Sequence, residues 1–364
     1  MKVIELVEFL DAFAPPGLQE SYDNAGLLLG DPGATLSGAL ISVDVTEKVI
    51  MEAVKKKMNL VVAHHPLIFQ PLKKITGSGP VEKAVIASLR EGVAVYAAHT
   101  NLDAVHGGVN GRICRKIGLQ NCSVLKPERG RLKKLVCFIP SGHLESVSRA
   151  VFDAGAGHIG NYDRCGYHTK GEGTFRALDG ADPYVGKTGE IHTEPEVRWE
   201  TVFPFFLQSR VVKAMIDAHP YEEVAYDIYP LENEWPGAGQ GMTGSLEKEM
   251  TEKDFLKFLK DVFHIPCIRH SPLRGKKVKK VAVCGGSGSH LTEHAIGTGA
   301  DAFLTADISY HRFFDADGKI LLADIGHYES EQFTKEIFYE LISKKFPNFA
   351  VQFSETNTNP VNYL

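Results

Sequence analysis

The hydrophobic pattern of this chain changes period at regular intervals. Residues 1–13, "MKVIELVEFLDAF", set Glu5, Glu8 and Asp11 within an apolar stripe and predict an amphipathic helix. "GALISVDV" (38–45), "NLVVAHH" (59–65) and "VAVYAAHT" (93–100) are short, nearly continuous apolar runs. Between them, "TEKVIMEAVKKKM" and "PVEKAVIASLREG" carry helical periodicity. Apolar runs of this length, separated by amphipathic helices, predict a largely parallel sheet covered on both faces. The last third repeats the rhythm, with strands at "KKVAVCGGSG", "ADAFLTAD" and "KILLADIG". Helical segments follow each, at "SHLTEHAIGTG", "ISYHRFFDADG" and "HYESEQFTKEIFYELISKKF".

Set side by side, the outer thirds match element for element. "LVVAHHP" stands where "AFLTADI" stands, and "VYAAHTNLD" where "LLADIGHYE" stands. This predicts an α/β protein made of two duplicated halves, residues 1–129 and 235–364. Between them the rhythm changes. "KKLVCFIP", "GHLESVSRAVFDAGAG", a Gly-rich strand region, "TGEIHTEPEVRWETVFP", "FLQSRVVKAMIDAHP" and "EEVAYDIYPL" read strand, helix, strand, strand, helix, strand. That βαββαβ order is the ferredoxin-like arrangement and predicts an inserted domain over 130–234. The Gly/Pro-rich link "ENEWPGAGQGMTGS" marks its exit.

Composition narrows the function. The net charge of −5 supplies no electrostatic footprint for nucleic acid. The N-terminal helix carries acidic residues unlike a signal peptide, and no apolar run approaches the roughly 20 residues needed to span a bilayer. The six cysteines form no C-x-x-C pair and read as reduced thiols of a cytoplasmic protein. A metal site must therefore draw on histidine and carboxylate, which favours hydrolytic zinc, iron or manganese.

Polar groups gather where the predicted strands end, the place where open α/β sheets put their sites. His64 and His65 close one strand, held extended by Pro66. Taken alone, the pair also fits one buried, hydrogen-bonded histidine beside an exposed one. Asp103 lies just past the next strand, in a loop approached by His99 and Thr100, where capping chemistry would equally suit it. After "LLADIG", His327 and Glu331 stand four residues apart at a helix start, so both side chains share one face. Three such motifs converging on strand ends point to one metal site. Five ligands exceed what one catalytic zinc takes from protein; adjacent histidines are more naturally divided between two divalent ions bridged by a carboxylate.

"AHHPL", "HTNLDA" and "GHYESE", with "YDNAGLLLG" near the N-terminus, resemble the motifs of the NIF-three-like family, whose members carry the name GTP cyclohydrolase 1 type 2 homologues. The resemblance covers both outer thirds. It implies a dinuclear centre on His64, His65, Asp103, His327 and Glu331, with Glu331 as the bridge, and a homo-oligomer, a ring-shaped hexamer. The middle segment, with "HPYEEVAYDIYPL", resembles the CutA/PII-like domain inserted in bacterial members.

Other signals are weaker. "VAVCGGSGSHLTEHA" has Leu291 where a dinucleotide fingerprint needs its third glycine, so no nucleotide cofactor is expected. A tight strand-to-helix turn is the simpler reading, with an anion at the helix start the alternative. Asp307, His311 and His99 are candidate proton-transfer or ligand-orienting residues, with helix capping and surface exposure as the competing explanations. Asn24 either lines the cleft or serves a turn. Two functions follow: a metal-dependent hydrolase acting on a nucleotide, or a non-enzymatic metal-binding scaffold in which the insert senses a ligand.

Overall fold

A computed structural model describes residues 1–364. The uninterrupted apolar runs become short strands buried along their whole length. In chain order, α1 (Val3–Phe13) precedes β1 (Gly26–Leu29), β2 (Ala39–Ser42), α2 (Glu47–Lys55), β3 (Leu60–Ala63), α3 (Pro80–Glu91) and β4 (Ala94–Ala97). Two short helices, α4 (Thr100–Ala104) and α5 (Val109–Lys116), lead to β5 (Gln120–Arg129). Next come β6 (Leu132–Pro140), α6 (Leu144–Asp153), β7 (Gly166–Arg176), β8 (Ile191–Pro204), α7 (Gln208–Ala218) and β9 (Tyr226–Leu231). The chain continues through β10 (Glu234–Thr251), α8 (Glu252–Phe263), β11 (Arg269–His270), β12 (Lys277–Val283), α9 (Thr292–Gly297), β13 (Ala302–Thr305) and β14 (Leu321–Asp324). It ends with α10 (His327–Glu331), α11 (Thr334–Lys345) and β15 (Val351–Phe353).

Local chemistry explains several boundaries. Thr46 caps α2 by accepting from the Val49 amide, and Thr251 caps α8 from Asp254. Gly92 ends α3 in the left-handed conformation. The segment 310–316, expected as an ordinary helix, is instead a 3-10 turn. Its large side chains Tyr310 and Phe314 are exposed, so it lacks the buried stripe that sustains an amphipathic α-helix.

Contacts divide the chain into Met1–Pro127 with Gly237–Leu364 as one unit, and Glu128–Pro236 as another. The first unit holds two sheets. One has the order β1-β4-β3-β2-β15, with β2, β3, β4 and β15 parallel and β1 antiparallel at the edge. The other has the order β11-β14-β13-β12-β10-β5, with β12, β13 and β14 parallel and β11 antiparallel at the edge. Five strands were not apparent in the pattern: β1, which is only half-buried, β5, the two-residue β11, the three-residue β15, and β10, which runs through the Gly/Pro-rich stretch expected as a link. Each outer third also sends a strand into the other's sheet, β5 into the later one and β15 into the earlier. One apolar core joins them, with Leu6 and Leu10 of α1 in the same cluster as Phe255 and Leu259 of α8.

The second unit is an antiparallel sheet of order β7-β8-β6-β9. Ile139, Val197 and Trp199 on one sheet face pack with Val147 of α6 and Val211 of α7. No helix of the chain is long and apolar enough to cross a membrane.

Candidate metal centre

The carboxyl ends of β3, β4, β13 and β14 deliver the polar residues. His64 and His65 follow β3 directly, and both their amides donate to the Val43 carbonyl, at 3.1 and 2.9 Å. The chain therefore turns at this point instead of continuing its alternation, and the two rings lie on one side, 4.9 Å between centroids. Asp103 is on α4 and not in the loop expected from sequence. The "HTNLDA" stretch is long enough to wind one turn once the His99 carbonyl accepts from the Leu102 and Asp103 amides. His327 opens α10 after Gly326, and Glu331 closes it.

Each of three imidazoles has its Nδ1 facing an oxygen. The His64 Nδ1 donates to the Ala98 carbonyl at 2.9 Å, His65 Nδ1 to Asp44 at 2.7 Å, and His327 Nδ1 to Asp307 at 2.6 Å. With that hydrogen placed, Nε2 is the free ligand atom on all three rings. Those Nε2 atoms converge on Glu331. Its Oε2 lies 2.9 Å from His65 and 3.2 Å from His327, while its Oε1 lies 3.6 Å from His64. His64 Nε2 is also 3.8 Å from Asp103 Oδ1, and both atoms are buried without any hydrogen-bond partner. Two orphaned buried polar atoms facing each other are rare in folded proteins. A cation between them satisfies both, so the donor set fits a divalent metal. The ligand atoms of His64, His65 and Glu331 all fall within 4.8 Å of one another.

Electrostatics in the metal-free centre follow from this packing. Burial opposes charge on Glu331, but the imidazoles of His64, His327 and His65 outweigh it and hold the carboxyl well below its usual range. Burial likewise opposes charge on His65, yet its hydrogen bonds to Asp44 and Glu331 raise it to about 10. The hydrogen bond to Glu331 raises His327 to about 9. Burial and the charge of Glu331 push Asp103 well above the carboxylate range, and burial lowers His64 from its ordinary value against the pull of Glu331. Protons thus occupy the positions that a cation would take.

The Gly-rich turn has a packing role. Gly286 has φ +62°, and a Cβ there would come within 2.4 Å of Glu331 Oε1. The amides of Gly285, Gly286 and Gly288 donate to Asn110, Ser330 and Thr305 side chains. Those three donors are committed to protein groups, which agrees with the tight-turn reading over an anion cradle.

Of the other sequence candidates, Asp307 touches the centre by orienting His327, from a left-handed backbone position. His99 packs edge-on against both His64 and His65, at 5.4 Å, and its Nδ1 is bonded to Asp23 at 2.8 Å. His311 is exposed on the 3-10 turn and makes no hydrogen bond to this cluster. Asn24 bonds the Ile68 carbonyl and serves the loop. Sequence reasoning missed Asp44 and Asp23, the carboxylates that orient His65 and His99. Asp44 was detectable as a polar residue just past an apolar run; Asp23 carried no distinctive signal. It also missed Thr358, whose hydroxyl donates to Asp44 at 2.6 Å from far along the chain.

A cavity of about 420 Å³ adjoins His65 and His327, with Arg269, Tyr328, Asn359 and Tyr363 among its lining residues. That volume is within the usual range for small-molecule sites.

The family model described as Duf34/NIF3 (NGG1p interacting factor 3) matches residues 1–360. A Bacillus subtilis protein named GTP cyclohydrolase 1 type 2 homolog is 40% identical, with 99% of this chain and 98% of the relative covered. A Halalkalibacterium halodurans protein of the same name is 37% identical over 99% and 98%. Among solved structures, a Bacillus cereus protein related to NIF3 is similar, with a TM-score of 0.86 and 38% identity. The match covers 100% of this chain and 99% of that one.

Two measurements probe the geometry. Metal uptake should release protons from His65 and His327, so affinity for zinc should rise with pH until about 9–10. Calorimetric titration in buffers of different ionisation enthalpy reads that release, and a pH-independent affinity would contradict it. Asp44→Ala should weaken zinc binding about 10–100-fold by freeing the His65 ring, as measured by competition with a chromophoric chelator.

Proposed function

This chain belongs to the Duf34/NIF3 family, and we propose that it is a dinuclear metal-dependent hydrolase acting on a nucleotide. One observation carries the reading: the two oxygens of Glu331 face different donor sets. Oε1 faces His64, which in turn faces Asp103, while Oε2 faces His65 and His327. In this reading His64, Asp103 and Glu331 would hold one divalent ion, and His65, His327 and Glu331 the other. Zinc, iron and manganese all suit the donors. Ions so bound supply activated water and polarise the bond to be cleaved.

The chain's own residues divide the remaining work. Asp44 and Asp307 fix the rings of His65 and His327. Asp307 is therefore an orienting group, and His99 is the better placed proton-transfer residue. Its Nδ1 is held by Asp23, whose carboxyl stays low despite burial because His99 and Thr100 donate to it. The adjoining cavity offers aromatic side chains for a base and Arg269 for a phosphate. GTP is the first substrate to try, because the relatives bear the name of a GTP cyclohydrolase homologue.

The experiment begins with metal analysis of protein purified without added metal. A screen of nucleotides and phosphoesters follows, with GTP assayed by formate release and loss of guanine absorbance. His99→Gln should lower turnover roughly 10²–10⁴-fold at unchanged metal content. No turnover of any substrate by metal-replete protein would overturn the hydrolase in favour of a metal-binding scaffold.

We also propose that the outer thirds arose by duplication, since both sheets follow one scheme. In each, an antiparallel edge strand is followed by the third, second and first parallel strands. In the same reading Glu128–Pro236 is a CutA/PII-like insertion, ferredoxin-like in its strand order, and the cytoplasmic protein assembles as a homohexamer. Strands β5 and β10 support the insertion, because they run side by side with Gly239 against Lys126 and Gly244 against Cys122. Light scattering should give a hexamer for the full chain and a folded, metal-binding product after excision of 128–236. A full-length monomer would refute the assembly, and an unfolded remainder the insertion.

A further inference from the structure

A large cavity is remote in sequence from every residue of the metal centre. It has a volume of about 760 Å³ and lies within the unit Glu128–Pro236. On β7 and β8, the facing pair Gly171 and Glu196 lies on the same sheet side as Thr169 and Arg198, and opposite Arg198 on β6 is Phe138. This is the face turned away from Ile139, Val197 and Trp199, which pack with the helices.

Most of the lining is apolar or aromatic, including Phe138, Phe175, Tyr184 and Tyr221. Phe175 and Tyr184 each have ring centroids 6.1 Å from Tyr221. Among them sits Glu196, only 8% exposed. Its Oε1 accepts from the Tyr221 hydroxyl at 3.0 Å, and burial together with this carboxylate raises the Tyr221 phenol, which therefore remains a donor. Glu196 has no cationic partner in the chain. Of the cations nearby, Lys134 and Arg198 pair with Glu200 and His192 with Glu194, while Lys170 and Arg176 of the cavity lining pair with neither Glu196 nor another carboxylate.

A glycine makes room for this group. A Cβ at Gly173 would stand 2.2 Å from Glu196 Oε2, although the backbone there is not left-handed. The missing side chain is thus explained by the space the carboxylate occupies. A buried carboxylate with one neutral donor and no counter-charge is costly on its own and is relieved by a cation. Aromatic faces close to it add attraction for the same charge.

We propose that this cavity binds a small organic cation, an ammonium carried on an apolar or aromatic body, with Glu196 as its counter-ion and the Phe175–Tyr221–Tyr184 cluster around it. Carboxylate and tyrosine hydroxyl fix the head group, and the apolar walls take the body. A polar, hydrated metal ion would leave those walls unused.

The test is a ligand-observed NMR titration of the full-length chain with three probes of one shape: phenethylamine, 2-phenylethanol and 3-phenylpropionate. The amine should bind saturably, with the alcohol and the carboxylate at least about tenfold weaker. Glu196→Gln keeps the size and the acceptor for Tyr221 but removes the charge, and should cost the amine at least about tenfold. Gly171→Val is a second variant, since a Cβ there meets no atom within 4 Å and the added carbons enter the cavity; it should abolish binding of the amine. Equal binding of amine and alcohol, unchanged affinity in Glu196→Gln, or no saturable binding of the amine at millimolar concentration would each overturn the proposal.

Discussion

Glu331 is a carboxylate with 2% exposure, and a charge at that depth must be neutralised where it lies. Removing the partner of a buried ion costs roughly 3–5 kcal/mol, so the surroundings of Glu331 are tightly constrained. His65 and His327 meet one of its oxygens and His64 faces the other. Each ring is oriented by a second oxygen, from Asp44, Asp307 or the Ala98 carbonyl. The bare turn at Gly286 exists because anything larger would strike Glu331. In the absence of a cation, protons on His65 and His327 maintain the balance; the same geometry without those protons presents ligand nitrogens.

The exchange of strands within the first unit has its consequence here. Because β15 joins the sheet of β2, the residues after it return along the carboxyl ends of the early strands. Glu52 accepts from Ser354, from the Glu355 amide and from Thr356, and these hydrogen bonds hold its carboxyl down to about 2 against burial. The chain so pinned delivers Thr358 to Asp44 and Asn359 to Glu329, and lines the adjoining cavity. The orientation of His65 thus depends on residues almost three hundred positions away in the chain. A short strand and a few polar side chains make that link.

Several features could be read before any coordinate was known. The parallel runs were visible because strands buried on both faces have no polar alternation to obscure them. The pairing of His327 with Glu331 was legible because four residues make roughly one helical turn, a distance set by local geometry alone. The placement of Asp103 was misread as loop, since one turn of helix carries too little periodicity to register. β1 was missed because it is only half-buried, β15 because it has three residues, and β10 because its glycines and proline read as a link. His311 looked equivalent to Asp307 on paper; the 3-10 turn places it at the surface, whereas the strand end brings Asp307 to His327.

What the sequence determined by itself was therefore local: the kinds of element, their order, and the ligand-type residues that close them. Those follow from side-chain periodicity and from donor chemistry, which act over a few residues. Only the tertiary structure decided which oxygen of Glu331 faces which imidazole, that Asp44 and not Asp307 orients His65, and that His64 Nε2 and Asp103 Oδ1 lack any partner. These are contacts between segments separated by up to hundreds of residues, and they depend on sheet order and on shared burial. No spacing along a chain encodes a distance across it.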